Sequence, residues 1–344
     1  MKVLIVTNMA AFIWGGAEEL AYNLRKNLEH EGHQSEILRI PFQWDPINIV
    51  PSQMLMVRAL EISNVDHVIG LKFPAYLLEF PRKSLWLIHQ FRQIYDLFES
   101  NQSQYESLQG FKEIQGLIKS ADNEYFSQLS RLYCISEVTR QRLQKFNGFN
   151  ATVLIPPVND PELFNNKGND GYIFAGGRIN SMKRQHLLLE AMQYDDPSVK
   201  LIIAGPPDTH SDGFLLETLV QRFNLGDRVK LDLGFLPKKK YADYINYSNA
   251  IAYIPVDEDM GYFAMEAALS YKPIITTNDS GGILTIAKNR ESGWVVEPIP
   301  ESIGSVMSEA INQPRTSIRY GSAAYEILKN LDLNWPITIE ALLK

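Results

Sequence analysis

Three clusters of residues in this chain have the types and spacing to handle a phosphorylated ligand. After a first apolar run, Gly15-Gly16-Ala17-Glu18-Glu19-Leu20 opens a helical stretch that reaches about His30. Paired glycines let backbone amides approach a ligand closely, and a helix start presents unpaired N–H groups at the positive end of its dipole. Such a loop can receive a pyrophosphate or an acceptor oxygen. Equally, Gly15-Gly16 can be a plain turn, with Glu18 and Glu19 as first-turn acids that suit the dipole. A Gly-x-Gly-x-x-Gly nicotinamide fingerprint and a Walker loop are both absent.

The second cluster is Phe174-Ala175-Gly176-Gly177-Arg178-Ile179-Asn180-Ser181-Met182-Lys183-Arg184-Gln185. An expected strand ends in two glycines, Arg178 follows, and Lys183 comes five residues later near a helix start. Arginine grips phosphate through a planar fork and lysine acts as a point charge, so the pair can clamp a departing diphosphate. Charges of this kind also decorate ordinary helix starts.

The third cluster is Pro255-Val256-Asp257-Glu258-Asp259-Met260-Gly261-Tyr262-Phe263-Ala264-Met265-Glu266. A helix is expected to begin at Gly261, with Glu266 about two turns inside it. At a rise of ~1.5 Å per residue, Glu258 and Glu266 stand roughly 10 Å apart, too far to share a proton. Ionised carboxylates only accept hydrogen bonds, so each can hold hydroxyls at one end of a ligand. The amides of Tyr262, Phe263 and Ala264 between them can receive a phosphate. Hydroxyls at both ends and phosphate in the middle describe a nucleotide sugar. The plainer alternative is an acidic loop followed by an amphipathic helix.

The elements that must position these clusters are legible as alternating runs. Strands are expected at 3–7, 35–40, 67–70, 85–89, 132–135 and 152–155, then again at 172–175, 200–204, 229–233, 250–256 and 274–276. Helical segments 185–192, 214–223, 239–248 and 262–270 separate the later strands. Short apolar strands alternating with helices imply a parallel sheet covered on both faces. Ile155-Pro156-Pro157-Val158 and the polar run 165–171 read as a linker, which puts the boundary near residue 158. Residues 91–130 read as a polar, aromatic-containing helical insertion. The segment 317–344 reads as two helices broken at Trp335-Pro336, able to return to the first domain.

Composition limits the function. With 344 residues, two domains are expected, and 45% hydrophobic content excludes extended disorder. The formal charge of −7 argues against a nucleic-acid surface. Residues 1–158 carry 15 Lys and Arg against 16 Asp and Glu; a near-neutral first domain permits peripheral contact with an anionic membrane face. Cys134 is the only cysteine, so neither a disulfide within the chain nor a multi-thiolate metal site is expected, which fits a reducing, cytoplasmic setting. The apolar run Val3-Leu4-Ile5-Val6 is too brief for a signal segment or a membrane span.

Gly15-Gly16-Ala17-Glu18, Gly177-Arg178 with Lys183, Glu258-x7-Glu266, and Lys272-Pro273-Ile274-Ile275 through Asp279-Ser280-Gly281-Gly282 together resemble the retaining GT-B glycosyltransferases of family 4 (glycosyl transferases group 1). The resemblance runs in order over nearly the whole chain and is weakest between residues 40 and 130. It implies two Rossmann-like α/β domains with parallel sheets facing a cleft: 1–158 on the acceptor side, 159–316 binding the nucleotide sugar, and 317–344 crossing back. It further implies that Arg178 and Lys183 bind the diphosphate, Glu266 the ribose and Glu258 the donor sugar. His89, in Leu87-Ile88-His89-Gln90, matches the histidine that follows a first-domain strand and lines the family's reaction centre; on its own, a histidine at a strand end is more often structural, so its role rests on the resemblance. After Gly281-Gly282 the family usually has Pro and then Glu, where this chain has Ile283-Leu284-Thr285, so the donor contact of that glutamate is not expected.

The expected activity is transfer of a sugar from a UDP- or GDP-sugar to a hydroxyl acceptor with retention, in glycan or glycoconjugate synthesis. No prosthetic group is expected, and no metal is required, because Arg178, Lys183 and helix-start amides supply the positive charge. The acceptor can be a glycan, a lipid-linked glycan or a small molecule. The rivals are a GT-B sugar-nucleotide epimerase or hydrolase, and a sugar-nucleotide-binding protein without turnover.

Overall fold

A computed structural model describes residues 1–100, 102–105 and 107–344. The chain divides into two compact units, Met1–Pro157 with Leu333–Lys344, and Val158–Asp332. In the first unit, β1 (Lys2–Met9), β2 (Gln34–Pro41), β3 (His67–Gly70), β4 (Lys83–Leu87), β5 (Leu132–Cys134) and β6 (Thr152–Val153) form one sheet in the order β2-β1-β3-β4-β5-β6. Every pairing in it is parallel. Helices cover both faces of such a sheet, so strands such as β3 and β4 bury consecutive residues and read as unbroken apolar runs.

The second unit repeats the plan with β7 (Ile173–Gly176), β8 (Leu201–Ala204), β9 (Val229–Asp232), β10 (Ala250–Ala252), β11 (Ile274–Thr277) and β12 (Gly293–Val296), ordered β12-β11-β10-β7-β8-β9. All its pairings are parallel too. Strand order reverses between β1 and β3 in one unit and between β7 and β10 in the other. At such a reversal the loops leaving the carboxyl ends of the strands part toward opposite faces, and ligands of open α/β sheets bind there.

The structure departs from the sequence reading in three places. The second sheet has a sixth strand, β12, which the sequence hid behind a leading glycine. A Cβ on Gly293 would lie 2.1 Å from the Ile274 carbonyl oxygen, so only glycine lets β12 pair with β11 here. The helix Pro314–Asn330 stays in the second unit, with Tyr320 set edge-on against the buried Trp294 and Gly321 close under the Tyr271 carbonyl. Only Trp335–Leu343 packs in the first unit, where the Tyr133 hydroxyl donates to the Ala341 carbonyl at 2.8 Å. The polar run 165–171 is stitched to the second unit rather than loose: the Asn165 and Gly171 amides donate to the side chains of Asn246 and Asn249. In the expected insertion, helices form at Asp96–Glu99 and Phe111–Ser127, while residues 101 and 106 lie outside the described residues. Among the described residues, no helix is long and apolar enough to cross a membrane.

Lys272 anchors that stitched run. It is buried just before β11 and donates to the Gly168 carbonyl at 2.7 Å and to Asn166 Oδ1 at 3.0 Å. Burial lowers its pKa to about 8 against an opposing pull from Asp170. A lysine whose pKa is lower folded than unfolded binds more protons unfolded, so it makes stability rise with pH across the interval between the two values. We predict that the wild-type protein gains stability between pH 8 and pH 10.5 relative to Lys272→Met, by up to the order of 3 kcal/mol for a shift of this size. Denaturant titrations of both proteins across that interval measure it, and parallel curves would contradict the assignment.

Candidate functional site

The second-unit residues singled out from the sequence lie on the loops that leave the β7/β10 reversal and on the helix that follows β10. After β7, Asn180 caps a 3₁₀ turn at Ser181–Lys183, its side chain accepting the Lys183 amide at 3.0 Å. This directs Lys183 toward the loop after β10. Its ammonium donates to the Tyr253 hydroxyl at 2.8 Å and forms an ion pair with the Glu258 carboxylate. Both charged side chains are largely shielded from solvent, and the Val256 amide, donating to the Met182 carbonyl at 2.8 Å, ties the two loops together. Burial pulls the lysine pKa down, but Tyr253 and Glu258 outweigh it and hold the ammonium charged well above the ordinary lysine range. Burial and Glu258 together push the Tyr253 hydroxyl up, so it stays protonated.

Arg178 and Glu266 are held by other partners. The Arg178 guanidinium lies 3.3 Å from both oxygens of Asp208, which also accepts from Asn180 Nδ2 at 2.8 Å. Glu266 accepts a hydrogen bond from the Tyr241 hydroxyl at 3.0 Å. The helix Tyr262–Leu269 begins after Gly261, as its sequence suggests. Its first-turn amides are not all available, however: the Ala264 N–H already donates to the Gly261 carbonyl at 3.1 Å. Ala264 therefore drops out of the expected phosphate contacts unless that bond opens, leaving Tyr262 and Phe263 as the first-turn amides of interest.

The Glu258 backbone is seated on the turn after β11. Its amide donates to the Ser280 carbonyl at 3.3 Å, and its carbonyl accepts from the Gly282 amide at 2.7 Å. Gly281, at φ 69°, makes this approach feasible, since a Cβ there would lie 2.4 Å from the Glu258 carbonyl oxygen. The glycine pair in the motif thus has a mechanical reason. Gly282 then opens the 3₁₀ turn Gly282–Thr285, which carries Ile283-Leu284-Thr285.

In the first unit, Gly15 is the extended residue before the helix Gly16–His30, and its amide donates back to the Glu18 carboxylate at 3.0 Å. Glu18 therefore shields the amide that the sequence suggested for a ligand, and a ligand at Gly15 must displace it. Gly16 is the first helical residue. His89 follows β4, with Nδ1 2.6 Å from the Gln90 carbonyl. A carbonyl oxygen only accepts, so Nδ1 carries a proton in this contact. The buried Gln90 side chain donates to Asn147 at 2.7 Å, Asn147 lies 3.2 Å from the Tyr95 hydroxyl, and Tyr95 and Tyr76 each donate to the buried Asp122 at 2.8 Å. Burial raises Asp122 to about 7, against the lowering effect of the two hydroxyls.

Sequence reasoning missed Tyr253, Tyr241, Asp208 and the Asp122 network. Tyrosines and acids on separate helices and loops carry no spacing signal, because the fold alone brings them together. Among the described residues, no group of three or more His, Cys, Asp or Glu side chains is placed to hold a metal ion.

Residues 159–327 match the sequence profile of a family described as Glycosyl transferases group 1. No curated protein matches the chain by sequence. Among solved structures, HepE from Anabaena, in complex with UDP-glucose, is 15% identical, with 99% of this chain and 98% of that chain covered and a TM-score of 0.74. Sucrose-phosphate synthase from Thermosynechococcus elongatus is 16% identical over 98% of this chain and 96% of its own, at a TM-score of 0.76. A glycosyltransferase from Rickettsia africae ESF-5 is 18% identical over 98% and 96%, at 0.69. The fold class is GT-B, as expected from the sequence.

The seat of Glu258 can be tested directly. Gly281→Ala forces a methyl group against the Glu258 carbonyl at a positive φ, and we predict a loss of about 2 kcal/mol or more in unfolding free energy. Gly32→Ala, equally at positive φ but with open space around it, provides the control for backbone strain alone. Equal losses in the two variants would show that the approach to Glu258 is not the cause.

Proposed function

We propose that this protein is a retaining glycosyltransferase that moves a sugar from a nucleoside diphosphate sugar to a hydroxyl acceptor, and that it acts in glycan or glycoconjugate synthesis. The observation that carries the reading is the Lys183–Glu258 contact, with Tyr253 beside it, at the strand-order reversal of the second sheet. Two opposite charges kept there, next to a helix start, suit a ligand with an anion at its centre and hydroxyls at its end. HepE, a protein of the same fold, has been solved with UDP-glucose, which supports UDP-sugars as the first donors to test ahead of GDP-sugars. The match to glycosyl transferases group 1 over 159–327 supports the same class of donor.

In this reading Arg178 and Lys183 hold the diphosphate with the amides of Tyr262 and Phe263, while Gly261 turns the chain into the helix. Glu266 holds the ribose and Glu258 accepts hydroxyls of the donor sugar. His89 Nε2 accepts a hydroxyl at the reaction centre, and Gly15-Gly16 offers amides to the donor phosphate or the acceptor. The bond from the anomeric carbon to the phosphate oxygen breaks while the bond to the acceptor oxygen forms on the same face. The acceptor proton leaves with the departing phosphate oxygen. Negative charge grows on the diphosphate as this happens, and a fixed ammonium and guanidinium stabilise it without reorganising. Membrane contact by the first unit would serve a lipid-linked acceptor.

Removing one preorganised donor of this kind typically lowers the rate by about 10² to 10³. We predict that Lys183→Ala and Glu258→Gln fold, bind donor weakly and lose transfer to that extent, with an α-configured donor giving an α-linked product by NMR. Transfer should persist in EDTA, since side chains supply the charge. Near wild-type turnover in both variants would end the assignment, and rapid change of the donor without acceptor would favour an epimerase or hydrolase.

A further inference from the structure

Arg184, next to Lys183, adopts a left-handed backbone at φ 55° and ψ 31°. Residues other than Gly, Asn and Asp enter this region reluctantly, and they remain there when the surroundings over-determine them. Here the surroundings do. The largely buried guanidinium donates from Nε to the Ile254 carbonyl at 2.7 Å, and from Nη2 to the Pro255 carbonyl at 3.1 Å and to Thr277 Oγ1 at 2.8 Å. It also forks onto Asp279, at 2.8 Å from Nη1 and 2.7 Å from Nη2. The Asp279 carbonyl in turn accepts the Asp257 amide at 2.8 Å, one residue before Glu258. A single side chain therefore fastens three loops: its own, which carries Lys183; the loop after β10, which carries Glu258; and the turn after β11, on which Glu258 sits.

We propose that Arg184 is a positioning residue whose guanidinium, bridging the 254–258 loop to Asp279, fixes the Lys183 ammonium and the Glu258 carboxylate relative to one another. The proposal rests on the reading of those two residues as donor ligands. Arginine is suited to the role because its rigid planar fork satisfies carbonyl, hydroxyl and carboxylate oxygens at once, which a lysine cannot do. Misplacing reacting groups by about 1 Å can lower a rate by about 10².

Arg184→Gly is the direct test, because glycine accepts the left-handed backbone while the guanidinium is deleted. With a nucleotide sugar that the wild-type protein uses, the variant's kcat/KM for donor should fall about a hundredfold. Millimolar guanidinium ion should restore at least about a tenth of the loss in Arg184→Gly and none of it in Lys183→Ala. A merely structural role would lower the thermal midpoint without giving this selective rescue. Arg184→Lys keeps the charge but not the fork and should remain impaired. Asp279→Asn attacks the bridge from its other side and serves if Arg184→Gly does not fold. It should show a similar fall, and the double variant should be no worse than either single, since both break one unit. A kcat/KM close to wild type in Arg184→Gly, failure of rescue, or additive losses would overturn the proposal. A wild-type protein that neither binds nor turns over any nucleotide sugar would instead remove the reading beneath it.

Discussion

A sheet covered on both faces has nowhere in its interior for unpaired polar groups, and that constraint organises the rest of this molecule. Burying an ion without a partner is prohibitive, so chemistry is displaced to the loops at the strand ends. Because all strands within a sheet run parallel, their carboxyl ends share one edge, and the reversal of strand order is where loops part. In the second unit this brings together segments about seventy residues apart in sequence: Lys183 follows β7, and Tyr253 and Glu258 follow β10. The pair owes its existence to topology.

The ion pair has a consequence of its own. Lys183 and Glu258 are each other's counter-charge, so neither is left partly buried and uncompensated before a ligand arrives. Removing one partner of a shielded pair harms more than the pair's net contribution, because the other charge is stranded. Under the proposed function, a diphosphate that takes over the ammonium releases the carboxylate to sugar hydroxyls, which would link the two ends of one ligand. A free phosphate supplies the first contact and lacks the second. In that reading the pair would favour a complete nucleotide sugar over its fragments, a selectivity that two independent sites would not have.

The repeated alternation of apolar runs made both parallel sheets legible, since strands buried on both faces show little else. The exceptions have physical causes. β12 opens with Gly293 and holds only four residues, so its propensity is weak; its place is fixed by close packing against Ile274. The helix at 314–330 looked as free to travel as the one after it, and the contacts of Tyr320 and Gly321 that retain it are long-range. At the site, the charged residues stood out by type and spacing. What they touch did not: Asp208, Tyr241 and Tyr253 come from separate elements, and only folding pairs them. Arg184 was visible in the motif beside Lys183, yet its left-handed backbone and its reach to Asp279, ninety-five residues on, have no local signature.

The two units hold their candidate residues by different means. In the second unit, Lys183 and Glu258 are themselves partners, and a neighbouring ion pair between Arg184 and Asp279 fixes the loops that carry them. In the first unit, His89 is oriented by a carbonyl, and the chain from Gln90 through Asn147 to Tyr95 is built of neutral groups. It ends on Asp122, a carboxyl with no exposure whose two oxygens accept from two tyrosine hydroxyls. Neutral amides and phenols can be buried at modest expense when every donor meets an acceptor, and they fix geometry without adding a field. Gln90 therefore joins the orientation of the histidine ring, through its backbone carbonyl, to a buried network of Asn147, Tyr95 and Asp122 through its side chain.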